Sequence, residues 1–265
     1  MKPKKTEVNS VTELVNKLIP NSELKPTSIE EVIQLPSFYD KLKKFAEEVN
    51  KEYCAIDLAY QQALTFRRLQ QITNILLVNP SWKEYINNSG LYDAPANWEE
   101  WQQLPISGKS KMAEFFNDSR PGMVVPLHYG GFEIVASGGT SSGVLAETVY
   151  PLKELQETYE IAGEFIGKHM LNKYLTGTQP KWVATTLADY QMWSSGTMVG
   201  GVLQKIPGIN YIGAGPLNKD VFQHMMGYEG PKAIMGISQG IAILSQLGAG
   251  MSEEARKSFR VAMYG

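Results

Sequence analysis

From Pro121 onward the chain alternates short runs of β-branched and aromatic residues with amphipathic stretches of helical length, and this alternation constrains the fold more than any other feature. Runs at 123–125, 132–136, 145–150, 182–186, 211–212, 233–235 and 260–263 read as strands, and stretches at 152–170, 189–203, 219–226, 239–247 and 252–259 read as helices. A strand, a helix and a second strand in succession return the chain in the same direction. The series therefore predicts an α/β domain with a largely parallel sheet, whose ligands sit where strands end and Gly-rich turns begin. Residues 121–265 read as one such region, with no clean linker, internal repeat or low-complexity segment.

The residues ahead of it read differently. Residues 1–26 are polar, with Pro3, Pro20 and Pro26, and read as a mobile leader carrying one short helix at 11–18. Residues 27–120 read as a mostly helical segment. Ser28-Ile29-Glu30-Glu31 has the S-x-x-E form of a capping box, in which hydroxyl and carboxylate each satisfy an unpaired helix N–H. Pro36 breaks that helix, and 38–49 resumes with Phe38, Leu42, Phe45 and Val49 at helical spacing. At 56–78, Leu58, Ala59, Ala63, Phe66, Leu69, Ile72 and Leu76 recur every three or four residues, the mark of one long amphipathic helix. Aromatic-rich connections follow, and Ser110 reads as the cap of a helix at 111–116.

With 265 residues, 43% hydrophobic and 20% charged, the chain can bury a sizeable core. A net charge of −2, from 25 basic and 27 acidic residues, gives no electrostatic reason to expect nucleic acid or an anionic membrane as partner. The single cysteine, Cys54, excludes an internal disulfide, and no apolar signal stretch follows the N-terminal lysines, so a cytoplasmic protein is expected. No run approaches the ~18 apolar residues of a membrane span. His128, His169 and His224 lie far apart and offer no metal-ligand spacing. A homo-oligomer is compatible with all of this.

The stretch Ala136–Gly143 lies between two of the expected strands, and seven of its eight residues are Gly, Ser or Thr. Closely spaced backbone N–H groups, hydroxyls and the lack of bulk suit an anionic ligand such as a phosphate chain. The plainer reading is a flexible hairpin connection, although hairpin turns usually need only two to five residues. Gly138 and Gly143 have Walker spacing, but Val144-Leu145 stand where lysine and a hydroxyl residue are required. Gly108-Lys109-Ser110 has the tail of a P-loop, yet Gln103 occupies the place of its first glycine, so a helix cap and a solvated lysine explain it better.

Gly236-Ile237-Ser238-Gln239-Gly240 fits the G-x-S-x-G nucleophile elbow between a strand and a helix. In that fold the histidine follows the serine, and here all three histidines precede it. The alternative is a turn at Gly236, a cap at Ser238 and close packing at Gly240. Glu253 and Glu254 read as first-turn charges complementing the helix dipole. The stripe Leu152, Leu155, Tyr159, Ala162, Ile166 and His169 reads as core packing. Tyr190 and Trp193, with Gly196, Gly200 and Gly201 on one expected helix, can shape a slot for a flat or apolar acyl group, or simply pack.

At the Gly-rich stretch the chain resembles the adenylate-forming enzymes, most closely the phenylacetate-CoA ligase type. That superfamily's signature loop runs Ser/Thr-Ser/Gly-Gly-Ser/Thr-Thr-Gly between two strands, and Ser137-Gly138-Gly139-Thr140-Ser141 overlays its first five positions. Further likenesses are Leu104-Pro105 with Lys109, the Gly-rich stretch 188–201, Tyr211-Ile212-Gly213-Ala214-Gly215, Pro231–Gly236, and 252–265 leading toward an adenine-contacting turn. Only the loop is specific. The chain departs from the pattern in the extra Ser142 before Gly143 and in lacking Pro-Lys after the loop. The aromatic-Gly-Ser/Thr-Thr-Glu turn, the ribose-binding aspartate, the hinge and the C-terminal domain with its catalytic lysine do not occur within it, so the chain resembles the N-terminal part of such an enzyme.

The resemblance implies the fold of that N-terminal part: a helical segment, then a layered α/β domain. It implies ATP, Mg²⁺ and coenzyme A as cofactors, a small-molecule carboxylic acid, aryl or other, as substrate, and acyl-adenylate formation followed by transfer to a thiol. Ser137, Gly138, Gly139, Thr140, Ser141, Ser142 and Gly143 would bind the ATP phosphates, and Tyr190, Trp193 and Gly213 would border the acid. No catalytic residue is assigned in the chain. A serine hydrolase or acyltransferase using Ser238, and a non-catalytic nucleotide- or acyl-binding protein, remain the alternatives.

Overall fold

A computed structural model describes residues 8–48, 57–137, 146–190, 192–216 and 218–264. The chain forms two compact units, divided between Gly130 and Gly131.

The first unit is helical: α1 (Val8–Leu18), α2 (Asn21–Leu24), α3 (Ile29–Gln34), α4 (Phe38–Glu48), α5 (Leu58–Leu77), α6 (Pro80–Asn87), α7 (Trp98–Trp101) and α8 (Lys109–Phe116). From Val8 the expected leader is folded. Leu18 joins Phe45 in a core with Leu14, Leu42 and Leu64, and Ile19 is buried.

The polar side of α5 takes part in this packing. Arg67 donates to Ile19 O at 3.2 and 3.0 Å, Gln71 to Glu23 O at 2.8 Å and Asn74 to Leu24 O at 3.0 Å. Gln71, Thr73 and Asn74 are therefore buried, whereas Leu58 and Ile72 of the expected core stripe are exposed. Ser28 caps α3 as expected, but the Glu31 carboxylate accepts from the Thr27 N–H and hydroxyl, one residue earlier than a capping box requires. Helix α8 begins after Gly108, so Ser110 lies inside it and does not cap it. The expected strand at 123–125 is absent. Asn79 donates to the carbonyls of Pro121 and Met123, and the Trp82 indole donates to Gly122 O at 2.8 Å, so side chains satisfy that backbone.

The second unit opens with the antiparallel hairpin β1 (Phe132–Ser137) and β2 (Ala146–Pro151), in a register running from Phe132↔Pro151 to Ser137↔Ala146. Then come α9 (Leu152–Phe165), a π-helical turn (Ile166–Leu171), β3 (Trp182–Thr185), α10 (Ser195–Gln204), β4 (Asn210–Gly213), α11 (Lys219–Met226), β5 (Lys232–Gly236), α12 (Ser238–Leu247), α13 (Glu253–Ser258) and β6 (Phe259–Tyr264). The last four strands form a parallel sheet in the order β4-β3-β5-β6, so the expected α/β architecture is observed.

Alternation along the strands splits the core into two layers. Val183 and Ala233 point to one face with Leu171, Leu175, Leu203 and Ile206. Ala184 and Ile234 point to the other with Phe222, Met225, Met226 and Leu244. Burial on both faces is what a parallel sheet requires, because its crossover helices cover it on both sides. Ser252 caps α13, accepting from Ala255 N.

Candidate active site

The winding of the sheet locates the site. The chain leaves β3 for β4 on one side and then returns to place β5 on the other. A reversal of this kind opens a crevice at the carboxyl ends of the strands, where the connecting loops diverge. There the amides of Ala214 and Gly215 donate to Thr185 O at 3.0 and 3.2 Å, and Thr186 N donates to Met235 O at 2.9 Å. Gly215 takes a φ of 60°, which lets the chain turn away sharply after β4.

After β3 the chain makes a tight turn before α10. Tyr190 N donates to Trp193 O at 3.0 Å and Trp193 N to Tyr190 O at 2.8 Å. Met192 stands in this turn with a φ of 66°, a left-handed conformation that disfavours side-chain-bearing residues. Asp189 anchors the turn to the helix: its carboxylate accepts from Thr197 N at 2.9 Å and from the Thr197 hydroxyl. Partial burial pushes the Asp189 pKa up, but the Thr197 side chain, the Thr197 amide and the Gly196 amide outweigh it, and the carboxyl sits below its usual value.

The hairpin is tied to this turn, since Ala136 N donates to Met192 O at 3.1 Å. The first residue of the Gly-rich stretch is thus fixed beside the turn that carries Asp189.

A cavity of about 520 Å³ lies at this end of the sheet, lined among others by Tyr159, Asp189, Gly200, Tyr211 and Gly213. The glycines of α10 bring its backbone against the two phenols. A Cβ at Gly201 would stand 2.6 Å from the Tyr159 ring, and one at Gly200 would stand 2.6 Å from the Tyr211 hydroxyl. Tyr159 is 5% exposed, and its hydroxyl has no hydrogen-bond partner among the described residues. Burial raises its pKa, helped by the carboxylates of Glu133 and Asp189. Burial, then Asp189, likewise raises that of Tyr211.

A larger hollow of about 900 Å³ opens at the amino ends of β5 and β6. It lies away from the crevice, and Tyr228, Gly230 and Ser258 on its wall all accept from the buried ammonium of Lys232. Lys232 thus ties three groups of that wall together.

Of the residues singled out from the sequence, Ser137 ends β1 opposite Ala146, while Gly138, Gly139, Thr140, Ser141, Ser142 and Gly143 lie outside the described residues. Gly213 lines the cavity. Tyr190 and Trp193 sit on the turn and not on a helix, because α10 starts only at Ser195; they are 66% and 45% exposed and stand apart from the cavity lining. Ser238 is the first residue of α12 and exposed; the cap position is Ile237, with no side-chain bond, so Ser238 does not cap. His224 lies toward the other end of β5, where its ring meets Tyr228. Among the described residues no group of three or more His, Cys, Asp or Glu could hold a metal ion, and no helix is long and apolar enough to cross a membrane.

Tyr159 and Asp189 are not among the residues that the sequence marks as site candidates. Tyr159 falls on a stripe with ordinary core spacing, and its stranded hydroxyl is visible only in three dimensions. Asp189 carried a usable signal, an acidic residue a few positions ahead of a Ser- and Gly-rich helix start.

No protein-family model matches the chain, and no curated protein matches it. Among solved structures it is similar to an open conformation of 2-hydroxyisobutyryl-CoA ligase in complex with 2-HIB-AMP and CoA, with a TM-score of 0.58 and 12% identity over 79% of this chain and 48% of that one. The chain thus spans about half the length of that ligase. At this identity the likeness is one of fold alone, a helical segment and a parallel-sheet α/β unit.

Proposed function

We propose that this chain is the acid- and nucleotide-binding part of an adenylate-forming ligase, which activates a small carboxylic acid with ATP and passes the acyl group to a thiol such as coenzyme A. The observation that carries this reading is the bond from Ala136 N to Met192 O. It fixes the root of the Gly/Ser/Thr-rich stretch beside the turn of Asp189, so a phosphate-binding loop and an acid-binding cavity would serve one end of the sheet. The fold it shares with a CoA ligase supports the reading.

The chemistry asks little of the protein beyond placement. The carboxylate is ionised at neutral pH and needs no general base. Its oxygen attacks the α phosphorus of ATP and pyrophosphate leaves; the thiol sulfur then attacks the acyl carbon of the acyl-adenylate, forming the thioester as AMP leaves. Backbone amides and the hydroxyls of Ser137, Thr140 and Ser141 would hold the β and γ phosphates, with Mg²⁺ accompanying them, and the cavity would orient the acid. Hydroxylamine trapping of the activated acyl group, in the presence of ATP, Mg²⁺ and a panel of acids, tests the proposal. Acid-dependent hydroxamate supports it, and a chain that binds neither ATP nor acid contradicts it.

A second reading rests on the exposed Ser238 at the carboxyl end of β5 within G-x-S-x-G. His224 lies toward the opposite end, so a nucleophilic serine would need another base. Labelling by a fluorophosphonate, lost in Ser238→Ala, would establish it.

A further inference from the structure

We propose that Gly130-Gly131 is a hinge about which the two units turn as separate bodies. The division between the units falls between these two residues. Both take left-handed backbone conformations, Gly130 with φ 72° and ψ −177° and Gly131 with φ 77°. The first pair of angles belongs to a region that essentially only glycine populates. Crowding does not demand glycine at either place, because a Cβ on Gly130 or Gly131 would meet no atom within 4 Å. What the two residues supply is backbone freedom, and freedom placed at the boundary of two compact units is what a hinge needs.

The hydrogen bonds around the junction locate the free torsions. On one side the chain is held to the first unit: Tyr129 N donates to Pro126 O at 3.1 Å, Gly130 N to Leu127 O at 2.8 Å, and the Tyr129 hydroxyl to Glu30 Oε1 of α3 at 3.4 Å. On the other side the second unit holds it: Leu152 N donates to Gly131 O at 2.9 Å, and Phe132 enters the β1-β2 ladder opposite Pro151. Between these anchors lies one peptide group, made of the Gly130 carbonyl and the Gly131 amide, and neither has a hydrogen-bond partner among the described residues. Rotation about ψ of Gly130 and φ of Gly131 therefore turns one unit against the other while every one of these bonds stays intact. The hinge is two torsions wide. It does not depend on the ligase reading.

The test is the distance between two spin labels on the full chain, read by double electron–electron resonance with no nucleotide or acid present. Labels at Glu84→Cys on α6 and Gln246→Cys on α12, in a Cys54→Ser background, span the junction, and labels at Lys153→Cys on α9 and Gln246→Cys stay within the second unit. All three label sites are exposed. The spanning pair is expected to give a distance distribution about twice as broad as the control pair or broader. Gly130→Ala combined with Gly131→Ala is expected to narrow it by about half, since alanine removes most of the conformations open to glycine. Gly131→Asn, whose side chain tolerates a positive φ, is expected to narrow it less and decides the matter where the alanine pair does not fold. A spanning distribution as narrow as the control overturns the proposal, and so does a broad one whose width the folded hinge variants leave unchanged.

Discussion

The backbone amide of Ala136 donates to the carbonyl oxygen of Met192 across 3.1 Å, joining the hairpin to the turn between β3 and α10. Met192 makes this contact from a φ of 66°. A left-handed conformation costs a side-chain-bearing residue about 1–2 kcal/mol, and more if it is β-branched. Met192→Gly is therefore expected to leave stability unchanged or raise it by up to about 1 kcal/mol, and Met192→Val to lower it by about 1–2 kcal/mol. Urea melts of the two variants check the sign. Destabilisation by the glycine variant would mean that the Met192 side chain, 48% exposed, packs more firmly than its exposure indicates.

Tyr159→Phe removes a buried hydroxyl that has no partner among the described residues. Since an unsatisfied buried donor costs about 1–3 kcal/mol, the variant should be at least as stable as the parent, by about 1 kcal/mol in a denaturant melt. A loss of that size would show that the hydroxyl has an acceptor within the folded chain.

Lys232 is 1% exposed, and its ammonium donates to Tyr228 O, to Gly230 O at 2.9 Å and to Ser258 Oγ at 3.3 Å. Lys232→Met leaves two carbonyls without their donor and should cost about 2–4 kcal/mol. Burial lowers the lysine pKa from its ordinary 10.5. The folded state therefore releases this proton before the unfolded state does, so deprotonation favours folding. The parent's advantage over Lys232→Met should widen as pH rises from the folded pKa toward 10.5, the opposite of a salt-bridged lysine. Thermal melts of both proteins along an alkaline pH series read this directly.

Helix α9 meets α10 closely at Gly163. A Cβ there would lie 2.7 Å from Val202 O and 2.8 Å from Lys205 Cβ, and a backbone carbonyl cannot move aside cheaply. Gly163→Ala should destabilise by about 1–3 kcal/mol. Gly250→Ala, where a Cβ meets nothing within 4 Å, serves as the neutral control. Equal melts of the two would show that the helices are free to separate.

Much of this fold can be read from residue patterns, because the parallel sheet depends on two periodicities that a sequence displays. Val183-Ala184 and Ala233-Ile234 alternate between two helical layers, and α11 presents Phe222, Met225 and Met226 at helical spacing. What stayed hidden depends on who satisfies a polar group. The run at 123–125 has strand composition, but Asn79 and Trp82 take up neighbouring carbonyls. The helix expected at 189 starts at Ser195 because Tyr190 and Trp193 bond to each other and Asp189 bonds back to Thr197. Gln71 and Asn74 are core residues through the carbonyls they meet, which no hydrophobic period reveals. Within the candidate site, Gly213 was reached through the resemblance and lines the cavity, whereas Gly138–Gly143 lie outside the described residues. The stranded hydroxyl of Tyr159 was not legible, because a satisfied and a stranded phenol look alike in sequence.

Calorimetric titration of the full chain with Mg-ATP, repeated with the double variant Thr140→Val and Ser141→Ala, tests the central claim most directly. The ligase reading predicts saturable ATP binding, weakened about tenfold or more by the double variant through lost charge-assisted hydrogen bonds, with circular dichroism unchanged. No ATP binding, or an affinity that the double variant leaves untouched, would contradict it and leave the stretch after β1 as a plain hairpin connection.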